Sequence, residues 1–92
     1  PIVVNLRETH ATRKIRAEIH LEYQGDQVAK EIEEQGVKIR DMLITKIGTV
    51  KLEEIDSEVG RNRLRALLRD EINKILEHNQ IKQVYFTEFL IL

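Results

Sequence analysis

Cysteine is absent from the 92 residues, which removes disulfides, thiol nucleophiles and thiolate metal sites together. That absence fits any compartment and selects none. No apolar run approaches the ~18 residues that a membrane-spanning helix needs. Neither sign of charge dominates: 15 basic and 16 acidic residues leave a formal charge of −1. A chain without a basic footprint is a poor candidate for wholesale nucleic-acid binding. Serine occurs once, as Ser57, with no Gly-x-Ser-x-Gly around it and no phosphate loop elsewhere. Internal repeats, low-complexity tracts and linkers are missing as well.

What remains is an ordinary globular composition, 41% apolar and 34% charged, in one domain spanning residues 1–92. A chain this short buries only about 60–65% of its unfolded surface, so its stability is expected to be modest and self-association would add to it. The chain opens on Pro1, so a processed chain or a piece of a longer one is expected.

Apolar alternation at Ile2, Val4 and Leu6 predicts a first strand, followed by a polar loop from Arg7 to Arg13. The segment KIRAEIHLEY alternates more cleanly. Ile15, Ala17, Ile19, Leu21 and Tyr23 share one face, and Arg16, Glu18, His20 and Glu22 the other. After Gly25, with Asp26 as N-cap, a short helix to about Gln35 carries Val28 and Ile32, and Gly36 suits a left-handed C′ position. A second helix presents a broad apolar arc, Ile39, Met42, Leu43, Ile44 and Ile47, and ends at Gly48. A connector follows, with a helical turn around Lys51 to Ile55. Asp56 or Ser57 can then cap a long helix from about Glu58 to Glu77, striped by Leu64, Leu67, Leu68, Ile72, Ile75 and Leu76. Asn79 suits its left-handed end, and a closing strand runs from about Ile81 to Ile91. The order strand, strand, helix, helix, helix, strand predicts an α+β fold: a small antiparallel or mixed sheet packed by helices on one face.

No residue set points to catalysis, a cofactor or a metal. The histidines His10, His20 and His78 have no second ligand at a metal-like spacing. Ser57 is explained as a cap, and EIEEQ and KLEEIDSE as solvated helix surface. The chain is therefore expected not to be an enzyme. Arg61, Arg65 and Arg69 recur every four residues along the border of the long helix's stripe. Their stems can cover that border while the guanidinium groups reach solvent or Glu58, or they can meet an acidic patch on a partner. Glu71 falls inside the apolar arc, so it must reach the rim, find a basic partner or face another subunit.

The closing VYFTEFLIL is apolar on both alternating faces. Tyr85, Thr87, Phe89 and Ile91 are expected to face the helices. Phe86, Glu88 and Leu90 are left on the other side, where burying Phe86 and Leu90 is worth about 1.5–3 kcal/mol each. Either another part of the chain covers them or a partner does. Phe86, Glu88 and Leu90 are accordingly the first candidates for a protein interface, with Arg61, Arg65 and Arg69 second.

Taken in order, PIVVNL, TRKIRAEIHLEY, IRDMLITKIG, VGRNRLRALLRDEINKIL and IKQVYFTEFLIL resemble the flagellar basal-body-associated protein family FliL. The resemblance rests on Val4-Asn5-Leu6, Leu21-Glu22, Ile39-Arg40-Asp41, Gly60 before an Arg- and Leu-rich helix, and Phe86 to Phe89. It implies a stomatin-like domain on the periplasmic side of the bacterial inner membrane, able to form homo-oligomers including rings. It also implies association with the stator proteins MotA and MotB, and membrane attachment only through a segment absent from this chain. A stomatin-like membrane scaffold that binds another membrane protein, unrelated to motility, is the alternative.

Overall fold

A computed structural model describes the backbone of residues 2–5 and the whole of residues 13–78 and 80–92. The expectations for Leu6, the loop histidine His10 and the helix terminator Asn79 lie outside the described residues. Strands β1 (Ile2–Asn5) and β2 (Lys14–Glu22) come first, then helices α1 (Asp26–Glu34), α2 (Gly36–Ile47), α3 (Leu52–Ile55) and α4 (Glu58–Ile75), and finally β3 (Gln83–Ile91). The fold is α+β, and both strand pairings are antiparallel in the order β1-β2-β3. The alternation of β2 explains its central place. Ile15 and Ala17 are almost wholly buried, while Arg16 and His20 on the opposite side are exposed.

The helices close over the Ile15–Ala17 face. Ile39, Leu43 and Ile47 of α2 meet Leu64, Leu68 and Ile72 of α4, each set at spacings of four that stack along one helical side. These stripes are narrower than the sequence suggested, because Ile44 and Leu67 are each 40% exposed. The short helices α1 and α3 pack against α2 and α4 but leave those outer positions partly open. The two helix starts also differ from expectation. Gly25, at φ 95°, is the N-cap of α1 in place of Asp26, which stands in the first turn. There its carboxylate still suits the positive end of the helix. Gly36 is not left-handed; it begins α2, and the break between the helices falls at Gln35 (φ −96°, ψ 11°).

The corner before α4 is tied by short-range bonds. Ser57 Oγ accepts the Gly60 N–H at 3.1 Å, capping the helix. Arg61 Nε donates to the Ile55 carbonyl at 3.1 Å, fixing α3 against α4. At the far end of α4, Asn73 bonds Ile81 twice, accepting its N–H at 2.9 Å and donating to its carbonyl at 3.2 Å. This clamp steers the chain into β3. Glu71 finds basic partners, Lys74 at 3.2 Å and Lys46 at 3.8 Å, with its side chain 18% exposed.

Candidate protein interface

The apolar character of both faces of β3 has a geometric cause. Glu18 of β2 stands opposite Glu88, but Ile19 stands opposite Phe86, so Thr87 is an extra residue in β3. A bulge of this kind shifts side-chain direction by one position. Before it, Val84 and Phe86 point to the core; after it, Phe89 and Ile91 do. The sequence therefore shows two greasy alternations joined end to end, where one continuous alternation was expected. Phe86 does not lie on the outer face, because the bulge turns it inward. Tyr85 and Thr87, expected against the helices, are exposed instead.

Phe86 and Phe89, now neighbours on one side, pack with ring centroids 4.9 Å apart at 50°. Arg65 lies over the Phe86 ring and Arg61 over the Phe89 ring, each 5.1 Å from the centroid. Cation–π contacts of this sort contribute roughly 0.5–2 kcal/mol depending on exposure. These two arginines therefore roof the aromatic pair, where the sequence directed them to solvent or Glu58. Arg65 also donates to Asn62, and Arg69 Nε meets Asp70 at 3.2 Å. Because α4 and β3 run in opposite directions, Arg61 sits beside Phe89, Arg65 beside Phe86, and Asn73 beside Ile81. The four-residue recurrence thus aligns guanidinium groups along one flank of the sheet. A cross-strand partner for these arginines had no signal in the sequence short of knowing the bulge.

The outer face of the sheet is a bonded polar lattice. Glu18 and Glu88 stand directly opposite, an arrangement that costs stability unless each carboxylate has a cation or donor. Arg16 approaches Glu88 at 3.6 Å, and His20 Nε2 donates to Glu18 at 3.0 Å. That bond holds the Glu18 carboxyl below its ordinary pKa. Tyr85 donates its hydroxyl to Glu22, which pushes the phenol above its ordinary value, because ionising it would lose the bond and place two anions together. Leu90, opposite Arg16, is 46% exposed beside this lattice. Of the three first-rank interface candidates, the structure brings Glu88 and Leu90 together on the outer face and places Phe86 on the inner one.

His78 lies beside Glu77 at 3.7 Å, both well exposed. Among the described residues no group of three or more His, Cys, Asp or Glu side chains could hold a metal ion, and no helix is long and apolar enough to cross a membrane. The arrangement offers binding surfaces: a polar sheet face with one leucine, and a flank lined by arginines.

The model of the family "Flagellar basal body-associated protein FliL" matches residues 1–91. A flagellar protein FliL of Aquifex aeolicus (strain VF5) is 37% identical over 91 residues, covering 99% of this chain and 56% of that relative. A flagellar protein FliL of Bacillus subtilis (strain 168) is 27% identical over 88 residues, covering 96% of this chain and 61% of the relative. The chain thus spans little more than half the length of these curated relatives.

Proposed function

The chain belongs to the family of flagellar basal body-associated proteins FliL, and on that premise we propose that it is a non-catalytic scaffold domain of the bacterial flagellar motor. In this reading it self-associates, in a ring, and supports the stator units formed by MotA and MotB. Its place is the periplasmic side of the inner membrane, with attachment through a segment outside this chain. The family match across residues 1–91 is the observation that carries the reading.

The outer sheet face supplies the contact surface, with Leu90 as its apolar point and Glu88 and Arg16 as the charges beside it. Phe86 acts from behind, by holding β3 in register against α4. Arg61, Arg65 and Arg69 present their remaining donors along the neighbouring flank. Two measurements test the proposal. Solution mass across a concentration series should rise in the parent and stay monomeric in Leu90→Asp with its fold intact; a parent that is monomeric at every concentration removes self-association. Co-purification with MotA and MotB, together with reduced torque under high load in cells lacking the gene, tests the motor role. Full torque at high load without it would remove that role.

A further inference from the structure

An unpaired strand edge and a row of cations, of which Arg65 has no ion pair among the described residues, lie side by side on the α4–β3 flank. Among the described residues β3 has β2 on one side and no strand on the other, so its outward N–H and C=O groups have no ladder partners. Against that edge opens a cavity of about 350 Å3, walled by Asn62, Arg65 and Ala66 of α4 and by residues 83–86 of β3. Successive strand side chains point to opposite faces. A space that touches four of them in a row must open at the edge of the strand and not on either face. Beyond residue 86 the extra residue Thr87 interrupts regular pairing. A second hollow, toward Ile81, is walled by Arg69, Lys74 and Lys82 together with Asp70, which pairs with Arg69. No carboxylate lies within ion-pair distance of Arg65 among the described residues.

We propose that this groove takes an extended acidic segment of another protein as an added strand on β3. The segment's backbone pairs with residues 83–86; one carboxylate meets Arg65, and the carboxylate two residues along meets Arg69 in exchange for its Asp70 contact. The spacings agree: four helical residues advance about 6 Å, and two strand residues about 6.7 Å. Successive same-face side chains of an added strand therefore arrive at successive arginines of the helix. A second copy of this chain does not supply such a strand. Alternating acids occur on β2, at Glu18 and Glu22, beyond the Lys14–Ala17 stretch that β1 pairs, but both carboxylates are already engaged within the chain, by His20 and by Tyr85. The edge strands offer IVVN in β1, with no acid, and QVYFTEFLI in β3, with Glu88 alone. The proposal goes beyond the motor role and does not depend on it.

The test is titration of the isotopically labelled protein with a short peptide alternating threonine and glutamate, followed by NMR and amide exchange. Saturable shifts and slowed exchange are expected at residues 83–86. Replacing the glutamates by glutamine should weaken binding about tenfold at low salt, the yield of a few exposed ion pairs. Arg65→Gln should weaken the acidic peptide by a similar factor and leave the glutamine peptide unaffected. Of two peptides N-methylated along opposite backbone edges, one should lose binding and the other keep it. Because the peptide variants leave the protein untouched, they decide the matter even if Arg65→Gln misfolds. Equal binding of acidic and neutral peptides, equal binding of both methylated forms, or shifts confined to the outer sheet face would overturn the proposal. So would absence of binding at millimolar peptide. Protection of residues 83–86 that grows with protein concentration alone would assign the edge to a second copy and overturn it too.

Discussion

Gly60→Ala sets two physical expectations against each other. Gly60 is the third residue of α4, and helix propensity alone favours alanine there by about 1 kcal/mol. A Cβ at this position would stand 1.8 Å from the Glu54 carbonyl oxygen and 2.8 Å from its carbon. Ordinary carbon–oxygen approach is about 3.3 Å, so α3 would have to retreat by roughly 1.5 Å. The obstacle is backbone and cannot rotate aside. Retreat would pull on Ile55, which is 1% exposed and whose carbonyl holds Arg61. It would also disturb the Ser57 cap, whose Oγ lies 3.2 Å from the added carbon. Overpacking costs about 1–3 kcal/mol and a lost cap about 1 kcal/mol. Together these outweigh the propensity gain and leave a net loss of about 1–3 kcal/mol. Gly36→Ala is the control, because nothing lies within 4 Å of a Cβ there and its φ is not left-handed. That change should stabilise by about 0.4–1 kcal/mol. Urea unfolding reads both, with a lowered midpoint and unchanged slope for Gly60→Ala. Each kcal/mol should move the thermal midpoint by about 4–8 °C. A Gly60→Ala protein as stable as its parent, or more so, would refute the close-approach account.

Asn73→Ala removes both bonds to Ile81 and leaves a part-buried N–H and C=O without partners, so chemical denaturation should show a loss of about 2 kcal/mol. Ile72→Ala, at a fully buried position, should cost about 2–5 kcal/mol by the same assay. For the aromatic pair, Arg65→Ala should change the ring environment of Phe86 by NMR and cost up to about 2 kcal/mol; unaltered ring shifts would contradict the stacking. The lowered Glu18 pKa carries a stability contribution that is present above the ordinary carboxylate value and lost as pH falls through the lowered one. In His20→Ala the Glu18 carboxyl should titrate higher, which carbon-detected NMR can follow; an unmoved midpoint would count against the His20 bond as its cause.

Legibility in the sequence followed the range of the physics involved. The β2 alternation, the α4 cap and the α3 turn depend on a few neighbouring residues. The alternation holds from Ile15 to Leu21 but not at Tyr23, which lies past the strand's end and is exposed. The cap is Ser57 of the two residues that could supply it, and the turn falls within Lys51 to Ile55. Glu71 was recognisable as an intruder in an apolar arc, but that Lys46 of α2 would answer it needed the packing of two helices. The breadth of the α2 and α4 stripes was overread at Ile44 and Leu67, because hydropathy cannot say how many neighbours a helix will have. At the candidate interface, Glu88 and Leu90 stand on the outer face as their alternation indicated. Phe86 does not, and Tyr85 takes its place there.

By itself the sequence determined an α+β chain without thiol chemistry, the elements that compose it and, through motifs running its whole length, its family. These rest on composition and on periodicities that a strand or helix imposes locally. Only the tertiary structure decided which way VYFTEFLIL faces. Direction along β3 is set by its pairing with β2, where Ile15 and Ala17 demand Ile91 and Phe89 at one end and Ile19 and Leu21 demand Phe86 and Val84 at the other. One strand can satisfy both ends only by carrying an extra residue, Thr87, and that demand comes from a segment more than sixty residues away. The same bulge brings the two phenylalanines under Arg61 and Arg65, so the register of the sheet and the arginine-lined edge have a single cause.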